Sequence, residues 1–380
     1  MNFSLTPEQE MIRNVVREFA EKEVAPIAAE IDETGRVPIE NIEKMAELGL
    51  MGMPYPKKYG GAETDYISYI IAYEEIAKAC ASTAVILGGN VSLTCFPIYQ
   101  FGTEEQRQKF LVPLAKGEKL GAFALTEPNA GSDASNQETI AVLDGDEYVL
   151  NGNKIFITGG GLADIYLVFA MTDKTKGLRG ISSFIVEKGT PGFTFGKKEN
   201  KMGMRGSCTT ELILQDVRIP KENLLGREGE GFKIAMSTLD VGRVGVGALC
   251  VGIAQAALDE SIKYAKERIQ FGRPIGKFQA IQFMLADMAT EVETARLLVH
   301  KAAWLKDNKL PFSKESAMAK LYASETAMRC TLKAVQIHGG YGYMKEYKVE
   351  RLMRDAKITE IFEGTSEIQR MVIGKSLLKD

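Results

Sequence analysis

The stretch EYVLNGNKIFITGG, Glu147 to Gly160, alternates apolar and polar positions and contains an Asn151-Gly152 turn signal. Alternation with period two reads as β-strand, because successive strand side chains point to opposite faces. Similar runs follow: DIYLVFAM (164–171), GISSFIVEK (180–188), GFTFGKK (192–198) and TELILQDVRI (210–219). Asp144-Gly145-Asp146 and Pro191-Gly192 supply further turn signals between them. The block from 121 to 228 is therefore expected to be an all-β domain of short antiparallel strands, closed as a small barrel.

On either side the period changes. Residues 1–120 read as helical, starting at Thr6-Pro7-Glu8-Gln9, with Thr as N-cap, Pro at the first position and Gln at the third. Further helical patterns lie near Glu40–Leu48, Tyr66–Lys78 and Glu104–Leu114. From about Gly229 to 380 the chain is helical again: Lys277–Leu310 and Phe312–His338 contain neither Gly nor Pro. Two such uninterrupted helices predict a bundle with faces available for oligomerisation. The expected fold is α+β: an N-terminal α-helical domain (1–120), a middle antiparallel β-barrel (121–228) and a C-terminal helical bundle (229–380).

Composition narrows the function. The 380 residues carry a formal net charge of −3 and are 45% hydrophobic, which argues against a nucleic-acid binder with its basic face. Cys80, Cys95, Cys208, Cys250 and Cys330 are scattered and form no CxxC pair, a reduced, cytoplasmic pattern with no disulfide framework. His300 and His338 are the only histidines, so no catalytic metal is expected, and His300 reads as structural. No GxSxG landmark of a serine hydrolase occurs. The uncharged run Ala79–Thr103 contains Asn90, Ser92, Thr94 and Pro97, and reads as a buried helix whose polar residues face a partner such as a ligand rather than as a membrane span.

DVGRVGVGALCVG, 240–252, resembles a dinucleotide fingerprint but has Cys250 where the third glycine belongs, and helix follows it. It reads instead as a glycine-rich helix face that something approaches closely. EIFEGTSEIQRM, 360–371, sets Glu363 between the apolar pair Ile361-Phe362 and Gly364. By itself this stretch allows two readings: a solvated glutamate ending a helix, or a desolvated base with a raised pKa.

Six stretches decide between them. LTEPNAGSDAS (125–135), GNKIFITGG (152–160), ERIQFGRPIGKFQAIQ (267–282), AVQIHGGYGY (334–343), ERLMRDAKI (350–358) and FEGTSEIQR (362–370) resemble the acyl-CoA dehydrogenase family, its short-chain, butyryl-CoA-dehydrogenase-like bacterial members, over essentially the whole chain. The resemblance implies an FAD enzyme converting short-chain acyl-CoA thioesters to trans-2-enoyl-CoA. Glu363 would take the α-proton and the flavin N5 the β-hydride, with electrons passing to an electron-transferring flavoprotein. The reverse reduction, as an enoyl- or acryloyl-CoA reductase in a bifurcating complex, is the alternative; an oxygen-using oxidase and a non-catalytic scaffold subunit are weaker ones.

Further residues carry implied roles. Phe123, Leu125, Thr126, Phe156 and Thr158 would lie against the flavin, and Gly131 and Ser132 near its pyrophosphate. Arg268, Gln270 and Phe271 would reach the FAD of a neighbouring subunit of a homotetramer, a dimer of dimers. Gln336, Gly339 and Gly340 would form another ADP-side loop, and Thr365 and Glu367 polar contacts after the base. Ser132, Asp240, Arg243, Phe362 and Gly364 would meet the acyl-CoA. Some relatives carry their base on the helix after the barrel; the matching position here is Gly242, and the family tyrosine before the base is Phe362.

Overall fold

Thr6 starts the first helix as its sequence predicts. Its hydroxyl accepts from the Gln9 N–H (3.2 Å) while the Gln9 side chain accepts from the Thr6 N–H (3.0 Å), a reciprocal cap for α1, Pro7–Phe19. The computed structural model describes residues 4–378; the outermost ends of the first and last expected domains, 1–3 and 379–380, lie outside the described residues. Helix α2, Tyr66–Ala79, begins at Asp65, whose carboxylate accepts from the Ser68 N–H at 2.7 Å. Asp307, at the far end of a C-terminal helix, accepts from the Tyr66 and Ile67 N–H groups at 2.7 and 3.2 Å. The N-terminal and C-terminal helices are thus joined through a helix end.

Helix α3, Ala81–Gly88, runs directly into a π-helical segment, Gly89–Cys95. Its polar residues face protein. Asn90 donates to the Met51 and Leu114 carbonyls and accepts from the Gly121 N–H, tying this segment to the start of the sheet. The run 81–101 and the later helix α4, Gly231–Glu267, are both apolar and long enough to cross a membrane, but their apolar windows are 78% and 94% buried within the fold itself.

The strands of the middle region are β1 Gly121–Ala124, β2 Ile140–Asp144, β3 Glu147–Thr158, β4 Ile165–Met171, β5 Ile181–Glu187, β6 Phe193–Lys198, β7 Thr209–Pro220 and β8 Leu224–Leu225. They form one sheet in the order β6-β7-β3-β2-β4-β5-β8, with β1 also paired to β4. This overturns the expected antiparallel barrel in two ways. The sheet is mixed, because β1 and β2 both pair with β4 in parallel. It is also open, because β6 and β8 are its ends and do not meet.

Side chains and loops of the helical region occupy those ends instead. Gln106 donates to the Leu224 carbonyl at 2.9 Å, and Lys198 donates to the carbonyl of Gly35. Gln106 thus satisfies a backbone acceptor at the β8 end, and Lys198 ties the β6 end to the loop at Gly35. Asn151-Gly152 also differs from expectation: β3 continues through it, with a register shift between Leu150 and Gly152, so the pair marks a bulge rather than a turn.

Every residue of β4 is buried because both faces are covered. Ile165, Leu167 and Phe169 join the core shared with the helices, whereas Tyr166, Val168 and Ala170 join a separate core within the strands. After α4 the C-terminal region continues with α5 Gln279–Asp307, α6 Ser313–His338, α7 Lys348–Lys357 and α8 Ser366–Leu377. The glycine face expected on α4 is closely approached: a Cβ at Gly247 would lie 2.7 Å from Val299 of α5, and one at Gly252 would lie 2.7 Å from Ala77 of α2.

Candidate active site

Glu363 stands in the short connection before α8, whose N-cap Thr365 accepts from the Ile368 N–H at 3.3 Å. Its φ is +53° and that of Gly364 is +95°. For a non-glycine residue the left-handed region costs roughly 1–2 kcal/mol, so the surroundings must impose it. They do so through the carbonyls. Lys320 of α6, 0% exposed, donates to the Gly364 carbonyl at 2.7 Å, and Gln369 donates to the same oxygen at 2.8 Å. Arg243 of α4 donates to the Glu363 carbonyl at 3.4 Å. Three side chains from three helices clamp this turn.

The clamp aims the carboxyl inward. Glu363 as a whole is only partly buried, yet its Oε2 is closed to solvent and has no hydrogen-bond partner among the described residues. Burial raises its pKa from 4.5 to about 7, with the Lys320 and Arg243 charges limiting the rise. Oε2 hangs against α4 where Gly242 has no side chain; a Cβ there would overlap it and would lie 2.7 Å from Leu93. A carboxyl that is desolvated, unpartnered and near neutrality in pKa can exchange a proton with a weak carbon acid.

A second group of expected residues comes together at the sheet. The Thr126 carbonyl accepts from the Ile155 N–H at 2.9 Å, which brings Leu125–Thr126 beside β3. Lys154 of β3, 0% exposed, donates to the Leu125 carbonyl (3.2 Å), Glu127 (2.7 Å) and Gln137 (3.2 Å). Burial lowers the Lys154 pKa to about 8, and Lys154 in turn holds the buried Glu127 carboxyl below its ordinary value. Phe156 is not core, the role its position in a strand would suggest: it is 63% exposed at φ +58°, next to a register shift. Phe123 is half-buried against Phe169, their rings 5.0 Å apart, and Thr158 is half-buried at the end of β3. Gly131 and Ser132 lie in an exposed loop.

A third group lies on an outer face. Arg268 caps α4 and stands over the ring of Tyr341 at 5.3 Å, which brings the 268–274 hairpin against the Gly339–Tyr343 loop. Phe271, at φ +51°, is 93% exposed, and Gln270, Gln336, Gly339 and Gly340 are also exposed. Asp240 and Arg243 pair at 2.8 Å beside Glu363, with Phe362 and Gly364 half-buried nearby in sequence. Among the described residues no hydrogen bond or ion pair joins Ser132 to Asp240 or Arg243. Glu367 is exposed on the first turn of α8.

Three domains of one family match the chain end to end: the acyl-CoA dehydrogenase N-terminal domain over residues 6–118, the middle domain over 122–217 and the C-terminal domain over 229–378. The chain belongs to the acyl-CoA dehydrogenase family. It is 59% identical over 379 residues to the short-chain-specific acyl-CoA dehydrogenase of Clostridium acetobutylicum, covering 100% of both chains. It is 55% identical over 381 residues to the acryloyl-CoA reductase (NADH) of Anaerotignum propionicum, covering 100% of this chain and 96% of that one. The structure of butyryl-CoA dehydrogenase from Megasphaera elsdenii superposes with a TM-score of 0.98 at 56% identity, covering 100% of both.

For this acyl-CoA dehydrogenase the residues present suit a flavin dinucleotide. The exposed Phe156 and half-buried Thr126 and Thr158 offer an apolar strand face with hydroxyls. The Arg268–Tyr341 pair and Phe271 offer a guanidinium with aromatic rings for a pyrophosphate and an adenine. Sequence reasoning missed Lys320, Gln369 and Lys154, which hold the site. A lysine inside the apolar run AMAKLYA was the available signal for Lys320. It also missed the buried tyrosines Tyr66, Tyr69 and Tyr73 on α2, whose phenols are raised by burial, with the Glu363 charge adding to each.

Proposed function

We propose that Glu363 is the base of this FAD-dependent short-chain acyl-CoA dehydrogenase, which exchanges electrons with an electron-transferring flavoprotein. The observation that carries this assignment is the unpartnered, solvent-free Oε2 held by the clamped turn. A carboxylate there takes the α-proton of the thioester; in the reverse direction the same carboxyl returns it. Bound FAD supplies the hydride acceptor for the β-carbon. Leu93, in the same space beside Gly242, helps keep water from the carboxyl, and Gly364 would leave the backbone open to the acyl chain.

The cofactor would be held by Phe123, Leu125, Thr126, Phe156 and Thr158 along the sheet, with Gly131 and Ser132 at the phosphates. Arg268, Gln270, Phe271, Gln336, Gly339 and Gly340 would receive the dinucleotide of a second subunit in a homotetramer. Their exposure in a single chain supports that reading. Asp240, Arg243 and Ser132 would meet the CoA portion, and Thr365 and Glu367 would add polar contacts beyond the base. We take residues 1–120, 121–228 and 229–380 as the working domains, and place the protein in the cytoplasm on its five free cysteines.

The test is the anaerobic visible spectrum of the purified protein before and after propionyl-, butyryl- or octanoyl-CoA. Bleaching of the flavin band by a short acyl-CoA in the wild type, and its loss in Glu363→Gln, is the expected result. Full bleaching in the variant would remove Glu363 from the role.

A further inference from the structure

The position of the base fixes where the α-carbon of a substrate must lie, so what stands one helical turn away limits the acyl chain. On α4 the position facing the carboxyl is Gly242, with Leu93 against the same space. Three residues on, about 4.5 Å along the axis and the length of roughly three to four carbon–carbon bonds, is Gly245. A Cβ at Gly245 would lie 3.0 Å from Cε1 of Tyr73 and 3.5 Å from Oγ of Ser92. On the other side the hydroxyl of Tyr73 presses on Gly88 of α3, where a Cβ would overlap it and would lie 2.7 Å from Cζ. Two helices therefore lack a side chain at the two points where one aromatic ring sits.

That ring is held. Tyr66, Tyr69 and Tyr73 occupy one stripe of α2, with successive ring centroids 5.2 and 5.7 Å apart. The hydroxyls of Tyr66 and Tyr69 lie 3.3 and 3.0 Å from Oγ of Ser92, and that of Tyr66 also donates to the Val241 carbonyl at 3.1 Å. Tyr73 is 2% exposed, and its ring closes the stripe at the end farther along α4 from Gly242. A buried ring seated between two closely approaching backbones cannot move far without displacing a helix.

We propose that Tyr73 is a specificity-determining residue that ends the acyl pocket about one helical turn beyond the base and so excludes chains much longer than butyryl. This rests on Glu363 being the base. A tyrosine that merely packed the core would, when shortened, lower stability and leave the ranking of substrates alone.

The experiment compares kcat/KM of wild type and Tyr73→Val, both FAD-loaded, with propionyl-, butyryl-, hexanoyl- and octanoyl-CoA, using an artificial electron acceptor. The expected result is a rise of about 10–200-fold in the hexanoyl-to-butyryl ratio, the range a hydrophobic pocket gives for added methylenes. An unchanged ratio in a folded, yellow variant would overturn the proposal while leaving the base assignment intact. The wild type gives an independent reading should the variant not fold. Octanoyl-CoA turned over as efficiently as butyryl-CoA would overturn the proposal, and a sharp fall after butyryl would support it. If no acyl-CoA reduces the wild-type flavin, the base assignment fails and this proposal falls with it.

Discussion

A side chain at Gly242 would run into Oε2 of Glu363. Helix α4 thus carries the hollow into which the carboxyl of the proposed base points. Gly242→Ala should therefore push the carboxyl off its line to the substrate. A misplacement of about 1 Å can cost on the order of 10²-fold in rate, so kcat should fall by about that much while the flavin absorbance is kept. Unchanged turnover would mean that the carboxyl does not rest against this helix during catalysis.

Glu363→Gln should lower acyl-CoA oxidation by about 10²–10⁴-fold, the usual contribution of a general base. In the wild type, oxidation should rise with pH through about 7, because only the ionised carboxyl accepts the proton. Reduction of an enoyl-CoA should show the opposite limb. Stability follows the same group. Its folded pKa lies above its ordinary 4.5, so the wild type loses stability as pH rises from about 4.5 through about 7. The melting temperature of Glu363→Gln relative to wild type should accordingly improve from pH 5 to pH 8; a constant difference would contradict the raised pKa.

Lys320→Met removes both a donor to the Gly364 carbonyl and a positive charge near the base. The Glu363 midpoint in the pH–rate profile should move above 7, since a charge that holds it down is gone. Leaving the carbonyl with one donor fewer should cost about 1–3 kcal/mol in denaturant unfolding. A midpoint that moved down instead would mean that Lys320 does not act electrostatically on the carboxyl.

Lys154→Met would leave the buried Glu127 carboxylate without its cation, held by the Glu138 and Thr139 N–H groups, and release the Leu125 carbonyl. Breaking a buried pair from one side typically costs about 3–5 kcal/mol. FAD content of the purified protein should fall as well, because the strand end at Leu125–Thr126 loses its anchor. Lys154→Arg should restore part of the stability if charge is what matters. An FAD content equal to wild type in a destabilised Lys154→Met protein would separate the ion pair from the cofactor site.

Arg268→Ala should weaken FAD retention, most clearly on dilution, because the exposed hairpin is proposed to serve a neighbouring subunit. Flavin content independent of protein concentration and of this substitution would count against a shared site.

Much was legible because it is written locally. The Thr6–Gln9 cap, the breaker-free runs that became α5 and α6, and the alternation in β3 and β7 depend on neighbours a few residues apart. The stretch around Glu363 by itself left a solvated and a desolvated glutamate both open, and the resemblance of the six stretches to the acyl-CoA dehydrogenase family is what singled this acid out. The sequence alone thus determined the succession of helical, strand and helical blocks, and which acid to suspect.

Only the tertiary structure decided the rest. Whether the sheet closes depends on what covers its ends, and Gln106 caps Leu224 from 118 residues away. The raised pKa of Glu363 depends on its burial against α4, where Gly242 has no side chain, and on the Lys320 and Arg243 charges that limit the rise, none of these residues near it in the chain. Tyr73 reads as one more aromatic in an apolar helix until Gly88 and Gly245 are seen on either side of it. Period and turn chemistry act between near neighbours. Edge coverage, burial of a charge and the length of a pocket are set by segments that meet only when the chain has folded.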